Sequence, residues 1–115
     1  MTQSPIDPAV YDDLKDAAGA EFVVELVTTF LDEAPGMIAE LRIALETEDN
    51  DGFRRAAHSL KSNANVFGAH ALAAPARELE LTGTAQATPD VLALLERVDL
   101  EFVRASAALK SMQNE

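Results

Sequence analysis

The chain has no cysteine and no tryptophan. Without cysteine there are no disulfides, no thiolate nucleophile and no cysteine-ligated zinc, a state usual for an intracellular protein. Basic residues are scarce: 9 Lys and Arg stand against 20 Asp and Glu, a formal charge of -11. That balance excludes nucleic acid and anionic membranes as partners, since phosphate binding needs a broad basic surface. No apolar run approaches the roughly 18 residues of a membrane span, and the N-terminus lacks a basic start followed by an apolar core. A cytoplasmic location is therefore expected. β-Branched residues never alternate with polar ones over a strand's length, and aromatics make up 5% of the chain. What is abundant is alanine and leucine at helical spacing, which predicts an all-α fold.

At 115 residues the chain is read as one domain, residues 1–115. Asp7-Pro8 has the form of an N-cap with proline in the first turn, and Val10 and Leu14 give a short leading helix its apolar face, with Gly19 ending it. From Glu21 to about Glu48, Val23, Val27, Phe30, Ala34, Met37, Ile38, Leu41 and Leu45 keep one helical phase. Pro35 and Gly36 interrupt that stretch, predicting a single long helix bent there. The polar segment 46–52 is a turn, with Asn50 or Asp51 as the cap of the next helix. That helix runs to Phe67. Gly68 after it is either a C′ residue at positive φ or a position kept clear of side chains. A fourth helix carries Ala69, Leu72, Ala76 and Leu79 inward, with Pro75 predicting a bend or restart. After a loop over 82–88, Thr88-Pro89 opens a closing helix with Val91, Leu95, Val98, Phe102, Ala105, Leu109 and Met112 inward. The architecture expected is an antiparallel four-helix bundle with a short additional N-terminal helix.

The stretch 51–80 holds the chemistry. On a helical wheel Phe53, Ala56, Ala57, Leu60, Ala64 and Phe67 fall within roughly 100° of one another. His58 lies opposite this stripe, and Arg54, Arg55, Lys61, Ser62 and Asn65 lie within roughly 60° of it. No acid occurs between Asp51 and Glu78. An exposed imidazole in a basic patch on an acidic protein points to an anion or an acidic partner surface. His70 suggests no metal site: it lies beyond a helix break, and no Glu-x-x-His or His-x-x-x-His pair exists.

Residues 57–80, AHSLKSNANVFGAHALAAPARELE, resemble the signature of histidine-containing phosphotransfer (Hpt) domains. His58, Leu60, Lys61, Ser62, Gly68, Ala69, Leu72, Leu79 and Glu80 stand at the matching positions, with Ser62 where the family often has glycine. FLDEAPGMIAEL upstream is similar to the family's second helix. The resemblance implies a phosphorelay intermediate without kinase activity of its own. His58 would take a phosphoryl group on Nε2 from a receiver-domain aspartyl phosphate and pass it to another receiver. A solvated imidazole titrates near about 6.5 and is thus largely neutral and nucleophilic near pH 7. Lys61 would steady the phosphoryl oxygens; Arg54, Arg55, Ser62, Asn65 and Gly68 would form the partner-binding surface.

Response-regulator receiver domains, and a hybrid histidine kinase, are the partners implied. No cofactor or metal is expected on this chain, magnesium being brought by the receiver. A monomer is expected, and the initial Met with short tails reads as a freestanding protein. Two other readings are a helical adaptor that docks on a receiver or kinase without being phosphorylated, and a di-metal bundle enzyme, for which ligands are lacking.

Overall fold

Asp7 opens the helical chain as its sequence predicts, its carboxylate accepting from the Ala9 amide at 3.0 Å while Pro8 takes the first position of α1 (Pro8–Ala18). The computed structural model describes residues 5–82 and 85–113. Gly19, at φ 93°, ends α1 and leads into α2 (Ala20–Glu46). There follow α3 (Asn50–Val66), α4 (His70–Thr82) and α5 (Pro89–Gln113). Helix α2 packs on α3, α3 on α4, α4 on α5, and α5 returns to α2, closing a four-helix bundle with α1 laid against α2. The 27 residues of α2 rise about 40 Å, which matches the 42 Å long axis of the molecule.

The core follows the predicted phases closely. All six residues of the α3 stripe are buried, as are Val23, Val27, Phe30, Ala34, Ile38 and Leu41 of α2. Phe30 packs tilted at 5.3 Å against Phe67 and edge-on at 6.0 Å to Phe102, joining α2 to the end of α3 and to α5. Pro35 is exposed and α2 continues through it; Pro75 is buried and α4 likewise continues without a restart. Each proline forgoes one backbone hydrogen bond, and the apolar contacts on both sides hold the helix together across the gap.

One expectation is corrected and two are extended. The cap of α3 is Asp49, whose carboxylate accepts from Gly52 N at 3.0 Å; Asn50 is the first helical residue, and its side-chain oxygen instead accepts from Ala85 N at 2.6 Å. Gly52 permits this because a Cβ there would lie 2.5 Å from the Asp49 carboxylate. In α1 the expected face holds, Val10 and Leu14 being half-buried with Leu14 packed on the core, and it gains the buried Tyr11 and, ahead of the helix, the fully buried Ile6. On α5 the buried set includes Glu101, with Phe102 half-buried beside it. Arg104, one turn on, neutralises Glu101 at 2.7 Å, which makes its burial tolerable.

Candidate functional site around His58

Helix α3 presents His58 on its outer side because its inner side is committed to Ala57, Leu60 and Ala64, all fully buried. The imidazole side chain is 60% exposed. Its Nδ1 lies 2.7 Å from Glu80 Oε2, and Lys61 Nζ lies 2.6 Å from the other oxygen of the same carboxylate. An ionised carboxylate can only accept, so Nδ1 carries the proton and the lone pair of the neutral ring is on Nε2. That is the tautomer a nucleophile at Nε2 requires. Glu80 thus fixes the ring's orientation and its protonation pattern together.

Glu80 is in turn held as an anion. The Lys61 ammonium, with a lesser contribution from His58, lowers its carboxyl below the ordinary value of 4.5. A carboxyl with a depressed folded-state pKa stabilises the fold above its ordinary pKa, and this contribution is lost as pH falls through the lowered value. A carbon-13 titration of Glu80 is therefore expected to have its midpoint below 4.5, and in Lys61→Gln to have it closer to that value. Equal midpoints in the two proteins would contradict the assignment to Lys61.

Asp51, Arg54, Arg55, His58 and Glu80 line a shallow groove of about 380 Å³ between α3 and α4. Ser62 and Asn65 are exposed one and two turns beyond His58 on the same helix. These residues and Lys61 come together as the wheel predicts.

Gly68 does not join them. It is buried, ten residues and so about 15 Å along from His58. Its φ is 72°, with Ala69 N donating to Ala64 O at 2.9 Å and Gly68 N to Asn65 O at 3.1 Å. These two bonds are a Schellman motif, the helix-ending alternative. Its carbonyl accepts from Asp7 N at 2.9 Å, which docks the start of α1 on the α3–α4 turn.

The expected absence of acids from the surroundings of His58 is corrected as well. It holds along the chain and fails in space, because α4 folds back antiparallel and returns Glu80 to the histidine's level. The turn at 67–69 is the signal that could have located it, since reflecting His58 through that turn lands at about residue 78, within one helical turn of Glu80. His70, beyond the turn, has its Nε2 3.3 Å from Asp7 Oδ2. Among the described residues no group of three or more His, Asp or Glu side chains is placed to hold a metal ion. No helix among them is long and apolar enough to cross a membrane.

Comparison with known proteins settles the family. The sequence pattern of the Hpt domain matches residues 25–112, which include the whole of α3 and α4 and the groove between them. The chain belongs to the Hpt domain family. It is 27% identical over 104 residues to histidine-containing phosphotransfer protein 5 of Arabidopsis thaliana, covering 88% of this chain and 66% of that protein. The chain thus spans slightly less than two thirds of that relative's length. Histidine-containing phosphotransfer protein B of Pseudomonas aeruginosa superposes with a TM-score of 0.84 at 27% identity, covering 98% of this chain and 97% of that one. The Hpt domain of a sensor hybrid histidine kinase from Shewanella shares the fold, with a TM-score of 0.69 at 17% identity over 96% of this chain and 95% of that one. His58 sits on the second bundle helix of this Hpt fold.

Proposed function

We propose that this Hpt protein is a phosphorelay intermediate that accepts a phosphoryl group on His58 Nε2 from an aspartyl phosphate of one receiver domain and passes it to another. One observation carries the reading: an exposed histidine whose Nδ1 is tied to Glu80 at 2.7 Å, with Lys61 on the same carboxylate at 2.6 Å. The Nε2 lone pair attacks phosphorus, the bond from phosphorus to the receiver's carboxylate oxygen breaks, and its electron pair returns to that carboxylate. The His58 ring becomes positive and Nδ1 keeps its proton, so Glu80 lies against the charge as it develops. Lys61, on a flexible stem one turn away, turns to the phosphoryl oxygens as a mobile charge. Chemically the arrangement is a positioned nucleophile with charge on either side, as phosphoryl transfer requires.

Docking falls to Arg54 and Arg55 at one end of His58 and Ser62 and Asn65 at the other. The three cations Arg54, Arg55 and Lys61 outnumber the carboxylates Asp51 and Glu80 here, against a protein of formal charge -11, which favours an acidic receiver surface. Magnesium comes with the receiver. The protein acts as a carrier without autokinase activity, in the cytoplasm and as a monomer. Incubation with phosphorylated receiver domains is expected to move label onto the protein in an acid-labile, base-stable form. Stable binding to receivers with no label transferred by any of them would instead favour the unphosphorylated adaptor.

A further inference from the structure

The two oxygens of Glu80 serve two different groups, Oε2 the His58 ring and Oε1 the Lys61 ammonium. While His58 is bare, Lys61 draws on the carboxylate that holds the ring. A phosphoryl group on Nε2 brings its oxygens within reach of Lys61, whose four-carbon stem leaves one turn away on the same helix. Lys61 then has a more highly charged acceptor, and Glu80 is left to the ring alone.

Resting on the phosphotransfer reading above, we propose that Glu80 is a positioning residue for the outward half-reaction, holding the proton on Nδ1 of the phosphorylated ring and so setting how readily the phosphoryl group leaves. In that step the P–Nε2 bond breaks and its electron pair stays on Nε2. A ring protonated at Nδ1 departs as neutral imidazole, whereas an unprotonated ring must depart as imidazolate, a strong base and a poor leaving group. Phosphorus gains a bond to the attacking oxygen, which belongs to the receiver's aspartate or to a water that releases its proton to solvent. The same contact therefore serves both directions: on the way in it exposes the Nε2 lone pair, and on the way out it keeps the leaving group neutral.

The charged groups facing His58 are few. Asp51, Arg54, Arg55 and Lys61 come from α3 and Glu80 from α4; among the described residues α2, also packed on α3, adds no charged group to the groove. Of the two carboxylates, Glu80 is the one bonded to the ring. Lys61 and Glu80 have opposite charge, so removing each must move proton retention in opposite directions.

The test loads His58 with the small donor phosphoramidate, removes the donor, and follows loss of phosphohistidine by phosphorus-31 NMR from mildly acidic to mildly alkaline pH. In wild type the rate falls as pH rises and Nδ1 loses its proton. In Glu80→Gln, which preserves size and hydrogen bonding, the midpoint of that fall is expected about one pH unit lower, making release about tenfold slower on the alkaline side. In Lys61→Gln the midpoint rises. An unmoved midpoint in Glu80→Gln, or any downward shift in Lys61→Gln, overturns the proposal. Loading needs no receiver, so a protein that loads and shows the Glu80 shift yet exchanges with no receiver defeats the relay reading alone. Failure of His58 to load defeats both.

Discussion

Replacing His58 with glutamine is expected to abolish phosphoryl uptake from every receiver while leaving the fold unchanged. The side chain is 60% exposed and belongs to no part of the core. A substitution at such a surface position shifts stability by about 0.5 kcal/mol or less. Glutamine can still donate an N–H to Glu80, so the Glu80–Lys61 pair keeps a partner on its other oxygen. What glutamine lacks is a ring nitrogen with a free lone pair, and the amide nitrogen is no substitute because its electrons are delocalised. His70 does not stand in: it lies beyond the Schellman turn at the start of α4, beside Asp7 and away from Lys61. The check is label transfer measured beside a thermal melt of the same preparation. Transfer at wild-type rate in a folded His58→Gln protein would remove His58 from the chemistry.

Replacing Gly68 with alanine is expected to destabilise the protein by about 2–5 kcal/mol, from two sources of comparable size. Left-handed backbone, here φ 72°, costs an L-residue about 1–2 kcal/mol. The added Cβ would stand 2.8 Å from Val10 Cβ and 2.9 Å from Asp7 Cβ, both firmly placed by α1. Overpacking of that kind costs about 1–3 kcal/mol. Relief requires α1 to move away, which would stretch the Asp7 N to Gly68 O bond, 2.9 Å long in the native protein. Urea unfolding should show a lower midpoint with little change in slope. A loss under about 0.5 kcal/mol would mean that Gly68 is not the hinge on which α1 is seated.

The bundle was legible because period and burial agree at nearly every inward position. Phe53 to Phe67 form a stripe that can face only one way, and Thr88-Pro89 caps α5 through the Thr88 hydroxyl, which accepts from Val91 N at 3.2 Å. Legibility failed where a decision depends on what lies across the fold. Asp49 won the cap of α3 over its neighbours because Gly52 leaves room for its carboxylate, and Asn50 was taken by Ala85, 35 positions away. Glu101 could enter the core face of α5 because Arg104 goes with it. Tyr11 is the buried residue of α1, whereas spacing alone favoured Val10 and Leu14.

The same limit explains the site. Helical phase placed His58 outward and gathered Lys61, Ser62, Asn65 and the two arginines about it. Charge counted along the chain missed Glu80, 22 positions on, which the antiparallel return of α4 sets against the ring. The carboxylate, unlike the arginines nearer in sequence, is bonded to the ring and so decides which ring nitrogen is free. An acid-free stretch thus describes one strip of surface, and a second helix completes its electrostatics.

The defining state of the proposed relay is a phosphoryl group carried by Nε2 of His58 while Nδ1 keeps its proton and donates it to Glu80. Heteronuclear NMR of nitrogen-15 histidine-labelled protein, phosphorylated by a receiver, measures this directly. Phosphorus coupled to His58 Nε2, with an Nδ1 proton shielded from exchange, is the predicted result. Phosphorus on Nδ1, on His70, or on no histidine at all would contradict it.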